Sequence, residues 1–107
     1  MNIKTFVYDD NGLTVIDPRS LDDSIGQNLS HIRKKCSDVI LEAGLDQVTQ
    51  NNAIAGIYPP ERCEAIKSYI AACRNEYLRC KELILAAQTN DEADAVLFVA
   101  PPVPEGM

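Results

Sequence analysis

The sequence predicts an α+β fold dominated by helix, a long antiparallel helical hairpin with an N-terminal β-hairpin and a C-terminal strand that together form a small antiparallel sheet. Three observations predict it. Cys63, Ile66, Ile70, Cys73, Tyr77, Cys80, Ile84 and Ala87 recur at alternating three- and four-residue steps, an apolar seam more than three heptads long. Leu21, Ile25, Leu29, Ile32, Cys36, Val39 and Ala43 form a second such seam. Two β-prone runs flank Asn11-Gly12, and a third, Ala95 to Ala100, lies near the C-terminus. The order strand, strand, helix, helix, strand sets the helical hairpin with the sheet at one end.

With 107 residues the chain makes one domain, 1–107, large enough to fold alone. Its 46% hydrophobic and 24% charged residues are those of a globular protein rather than a disordered one. In the opening segment, Ile3 to Tyr8 and Leu13 to Ile16 form a β-hairpin over 3–16. Asn11 and Gly12 tolerate the positive φ of a type I′ turn, so they are placed at its centre, with Tyr8 opposite Val15 and Val7 opposite Ile16. Phe6, Tyr8, Leu13 and Val15 then share one face and Ile3, Val7 and Ile16 the other, and apolar groups on both faces imply that something packs on the ribbon.

Asp17-Pro18 punctuates the chain, and Ser20 is the expected cap of a helix over 20–44, with Asp22 and Asp23 in its first turn where the dipole favours them. Gly44 is the stop. Gly26 costs about 1 kcal/mol against Ala inside a helix, which places either the true start near Gln27 or a kink at that point. The connection 45–58 is long for a compact domain and has room for a short helix of its own, with Leu45, Val48, Ile54 and Ile57 plugging the end of the hairpin.

Pro60 suits the first turn of the long helix, 60–88, and no Gly or Pro interrupts it before Gln88-Thr89-Asn90-Asp91. At 1.5 Å per residue it spans roughly 40 Å and needs a partner along its length. Asp91 to Asp94 is an acidic link, 95–100 reads as a fully buried strand, and 101–107 is a Pro-rich tail of polyproline type. The strand pairs with the N-terminal hairpin in the favoured arrangement and augments a neighbouring chain in the other.

Composition also limits function. A net charge of −6 and a pI near 4.6 repel duplex nucleic acid, and no basic cluster exceeds Arg33-Lys34-Lys35, so a nucleic-acid partner is not expected. Ala95 to Ala100 is the longest apolar run, far below the ~20 residues of a membrane span. Met1 to Phe6 lacks the pattern of a secretory signal, which points to synthesis in the cytoplasm.

Four cysteines raise the question of disulfides or metal. Cys63 and Cys73 have the gap of CX9C helical hairpins, but Asp46 stands where a second pair would need a partner for Cys36, and Cys73 and Cys80 are roughly 10 Å apart along one helix face. All four occupy seam positions, where free Cys fills a core as a small hydrophobe; an inter-helix disulfide or a metal site is the competing reading. His31 has no Cys three or four residues away. The carboxylates sit at turns and helix ends, where capping explains them, and no phosphate loop or nucleophile elbow is present. No enzyme activity, cofactor or metal is therefore expected.

The expected function is a structural or interaction protein. Tyr69, Leu78, Leu83 and Leu85 lie off the main seam and widen the apolar surface, which favours self-association or other subunits as partners. The candidate interface combines Tyr69, Leu78, Leu97, Phe98, Val99, Pro101 and Pro102. Mixed charges, with a Glu76/Arg79 pair at helical spacing, occupy the remaining faces. The segments Tyr8-Asp9-Asp10-Asn11-Gly12, Tyr58-Pro59-Pro60-Glu61-Arg62-Cys63 and Ala100-Pro101-Pro102-Val103-Pro104-Glu105-Gly106 resemble stretches of small head-, tail- or tail-fibre-associated virion proteins of tailed bacteriophages. That resemblance implies a small virion component assembled in the bacterial cytoplasm, with no catalytic residues to carry over. The alternative is a small acidic inhibitor, of immunity or antitoxin type, covering a basic protein.

Overall fold

The computed structural model describes residues 5–9 and 12–107. Two helices dominate: α1 spans Leu21–Glu42 and α3 spans Pro60–Leu85. Between them lies α2, Gln47–Ile54, and after them the single turn α4, Asn90–Asp94.

Each boundary has a local cause. Ser20 and Asp23 form a reciprocal capping box at the start of α1: Ser20 Oγ accepts from the Asp23 N–H at 3.1 Å and Asp23 Oδ2 from the Ser20 N–H at 3.3 Å. The box overrides Gly26, so α1 starts at Leu21 and no late start near Gln27 is needed. A Cβ built on Gly26 meets nothing within 4 Å. Gly26→Ala is therefore expected to stabilise the protein by about 1 kcal/mol, read as a higher urea midpoint at unchanged slope.

At the other end Gly44 adopts φ 87°, and the Leu45 N–H reaches back to the Ile40 carbonyl at 3.2 Å, a Schellman stop. Asp46 caps α2 by accepting from the Thr49 N–H at 2.8 Å. Pro60 occupies the first turn of α3, and the Arg62 guanidinium stacks 3.9 Å over the Tyr58 ring just before it.

The two seams meet antiparallel. Ile32 packs with Cys80 and Ile84, flanked by Ile25, Leu29 and Tyr77. Val39 packs with Leu45, Ala53, Ile66, Tyr69 and Cys73, flanked by Cys36, Ile40 and Ile70. Leu45 and Ala53 thus close one end of the hairpin, whereas Val48, Ile54 and Ile57 point outward and plug nothing.

The expected class is overturned. The chain is mainly helical, and the small antiparallel sheet is not formed. Strand structure is confined to a two-stranded ribbon, Thr5–Asp9 (β1) with Gly12–Ile16 (β2), that no third strand joins among the described residues. The hairpin expected around Asn11-Gly12 is also not the one observed. Tyr8 pairs with Leu13 and Asp9 with Gly12, so Gly12, at φ 105°, opens β2 instead of sitting at the centre of the turn. Ile3, Asp10, Asn11 and the side-chain faces assigned to the ribbon lie outside the described residues.

The strand expected over 95–100 is absent for a physical reason. Thr89 accepts from the Glu92 N–H at 3.1 Å and nucleates α4, which turns the chain and makes Ala95 a helix cap. Residues 96–104 then run back over the helical hairpin as an extended strap without a partner strand. Its backbone bonds to side chains of α3, which leaves it docked within its own chain but outside any sheet.

Candidate functional site

The strap begins with an alternating pattern. Val96 and Phe98 turn inward while Leu97 and Val99 are 72% and 65% exposed, the alternation of an extended strand. From Pro101 onward the partly buried positions are Pro101, Pro104 and Met107, with a turn at Glu105-Gly106, where Gly106 takes φ 83°, before the last of them. Phe98 packs against both core clusters, bridging the Ile32–Cys80–Ile84 group and the Val39–Ile66–Tyr69 group, and Met107 reaches the second of them.

Three polar contacts hold the strap. Arg79 Nη2 donates to the Leu97 carbonyl at 2.9 Å and the Cys80 thiol to the same oxygen at 3.4 Å, while Glu76 Oε2 accepts from the Val99 N–H at 3.2 Å. Arg79 and Glu76 are themselves ion-paired, so the spacing read as a surface pair is the clamp that fastens the tail. The Arg79 hydrogen bond holds the Glu76 carboxyl below its ordinary range.

Between the strap and the end of α3 lies an open groove of about 520 Å³, walled by Leu83, Ala86, Ala87, Ala95, Val96, Leu97 and Val99. Arg79, ion-paired with Glu76, and Glu92, whose carboxylate accepts from the Gln88 N–H at 2.6 Å, also line it. Leu83 is itself 48% exposed, so the groove offers a largely apolar surface.

A second polar cluster is structural. The buried Arg19 donates to Asp94 from Nη1 at 3.1 Å and Nη2 at 2.7 Å, and to Asp17 from Nε at 3.0 Å and Nη2 at 2.8 Å. Gln27 accepts from Nη1 at 3.1 Å, and Asn28 donates to Asp94 at 2.8 Å. The cluster ties the approach to α1 onto α4, and the Arg19 bonds hold both aspartates well below the ordinary carboxylate range. Among the described residues no buried side-chain nitrogen or oxygen lacks a hydrogen-bond partner, and the bonds of this cluster lock the two segments together. Sequence reasoning missed it because Arg19 and Asp94 are 75 positions apart.

All four cysteines are free thiols. Cys63, Cys73 and Cys80 are buried and Cys36 half-buried, and burial pushes the Cys36, Cys73 and Cys80 thiols up, away from the reactive thiolate. Among the described residues no group of three or more His, Cys, Asp or Glu is placed to hold a metal ion, and no helix is long and apolar enough to cross a membrane.

The candidate interface is only partly assembled. Leu97 and Val99 share the outer face of the strap, Pro102 is exposed, and Leu78 is 47% exposed on another side of α3. Phe98 faces inward, and Pro101 is half-buried beside Val39, Ala43 and Tyr69. Tyr69 is corrected outright: at 3% exposure it belongs to the core, because it stands three residues after Ile66 and four before Cys73, on the same face as both. Leu83, which the sequence places among the off-seam residues, joins the groove. Comparison with known proteins supplies no match: no family model fits the chain, and no curated protein or solved structure is similar to it.

Proposed function

We propose that this chain is a non-enzymatic interaction protein that seats into a larger protein assembly through the outer face of its C-terminal strap. One observation carries the reading. Leu97 and Val99 stand largely exposed on a strap already clamped by Arg79, Cys80 and Glu76, within a stretch from Ala95 to Pro104 that contains no charged residue in a chain of net charge −6. An apolar edge held rigid in advance loses little conformational freedom on binding, which suits an assembly contact. The virion of a tailed bacteriophage is the setting that the sequence resemblance implies.

The test is the salt dependence of association. The chain and its Leu97→Lys/Val99→Lys variant are compared for binding to protein partners and to themselves, at low and high ionic strength. Apolar seating predicts association that salt barely changes and that the double substitution weakens by at least about tenfold, as expected when burial of a Leu and a Val is lost. Association that fades with salt and ignores the substitutions supports the acidic inhibitor instead.

A further inference from the structure

Resting on that reading, we infer that the edge of the strap turned away from α3 takes an extended strand of a partner protein, added alongside by main-chain hydrogen bonds. In an extended chain successive residues direct their N–H and C=O groups to opposite edges. The Leu97 carbonyl and the Val99 N–H, two residues apart, both point to α3, where Arg79, Cys80 and Glu76 bond them. Val96, Phe98 and Ala100 therefore direct theirs the other way. Among the described residues, the Val96 carbonyl, both main-chain groups of Phe98 and the Ala100 N–H bond to no other group of the chain. These groups repeat about every 6.8 Å along the edge, a spacing that a second extended backbone matches. A helix, whose main-chain groups are bonded internally, does not offer it.

The length and chemistry of the occupant follow from the same edge. The Val96 N–H is taken by the Ala93 carbonyl at 3.4 Å, which closes the ladder at α4, and Pro101 and Pro102 have no N–H to extend it. A strand of about five residues fills what lies between. Beside Ala100 and Pro101 the strap borders a recess of about 220 Å³, lined also by Val39, Ala43 and Tyr69 with Glu42. Paired strand residues point to the same face, so the partner residue opposite Ala100 faces the helices, as Val96 and Phe98 do, and an aliphatic side chain suits that recess. Its neighbours in the partner strand face outward beside Leu97 and Val99, which are already exposed. Ala95 to Pro104 carries no charge, so an uncharged strand meets no unpaired ion there.

The experiment is amide hydrogen exchange, read by NMR on the intact chain with and without a synthetic, acetylated and amidated peptide of alternating threonine and leucine, about seven residues long. In the free chain the Phe98 and Ala100 amides are expected to exchange faster than the Val99 amide between them, which Glu76 holds. Saturating peptide should slow those two at least about tenfold and leave Val99 nearly unchanged. Ala100→Pro deletes a donor that no group of the chain uses, so helical circular dichroism and melting temperature stay those of the parent while peptide binding weakens about tenfold. Ala100→Ser keeps the N–H and binds as the parent does. Slow exchange at Phe98 and Ala100 in the free chain overturns the inference, because the edge is then already satisfied. A peptide that leaves their exchange unchanged, or that binds the Ala100→Pro variant as tightly as the parent, also overturns it. If the Leu97→Lys/Val99→Lys variant loses a protein partner that Ala100→Pro retains, the outer face carries the assembly contact and only the edge assignment is wrong.

Discussion

Replacing Phe98 by Ala is expected to cost about 3 kcal/mol, more than any other single change in the strap. The residue lies outside both helices, yet among the described residues its side chain is the one that packs against both halves of the core, and removing it leaves a void between Ile32–Cys80–Ile84 and Val39–Ile66–Tyr69. The half-buried ring places the cost at the low end of the range for a fully enclosed Phe. Leu97→Ala is the control. Its side chain is 72% exposed, and its change should fall within about 0.5 kcal/mol of zero. A fully buried strand would give comparable losses at 97 and 98; the strap gives an alternating pattern. Urea unfolding of the two variants distinguishes these outcomes. Thiol labelling gives an independent readout: Cys80 is fully buried under the Leu97 carbonyl, so Phe98→Ala should speed its modification while Leu97→Ala leaves it slow.

Breaking the Arg19 lock has the second large effect. Asp94→Ala removes the acceptor of two guanidinium bonds and of the Asn28 amide, and is expected to cost about 2 to 3 kcal/mol. The same aspartate makes stability depend on pH. Asp94 and Asp17 both titrate lower in the folded chain than their ordinary value of 3.8, chiefly because of the Arg19 hydrogen bonds. A carboxylate with a depressed folded-state pKa contributes stability that is complete above the unfolded value and is lost as pH falls through the folded one. The protein should therefore hold a steady melting temperature down to about pH 4 and lose it steeply below, as the linkage requires. Asp94→Asn should start from a lower plateau and decline less steeply in acid. Parallel curves for parent and variant would show that Asp94 has no part in acid unfolding.

Each feature that was legible in the sequence is local. The seam from Cys63 to Ala87, the Pro60 start, the Ser20 cap and the Gly44 stop depend on residues within a turn or two of one another, so the two long helices follow from spacing alone. The turn α4 was legible too: Thr89-Asn90-Asp91-Glu92 has the Thr-x-x-Glu pattern of a helix start, but read as an acidic link it concealed the reversal that redirects the strap.

Tertiary structure alone decided what the C-terminal segment does. An apolar β-prone run states that it must be covered, not by what. Whether Ala95 to Ala100 pairs with a strand or lies in a helical groove depends on which side chains reach its backbone, and those are Glu76, Arg79 and Cys80, 17 to 23 positions away. Because an extended backbone is satisfied equally by a neighbouring strand or by well-placed side chains, periodicity within the run cannot separate the two. The same holds for Arg19, whose partner Asp94 becomes a neighbour only after α1 and α3 have packed and α4 has turned. Helix, cap and stop belong to the sequence; the clamp, the lock and the groove between strap and α3 exist only once residues distant in the chain share a surface.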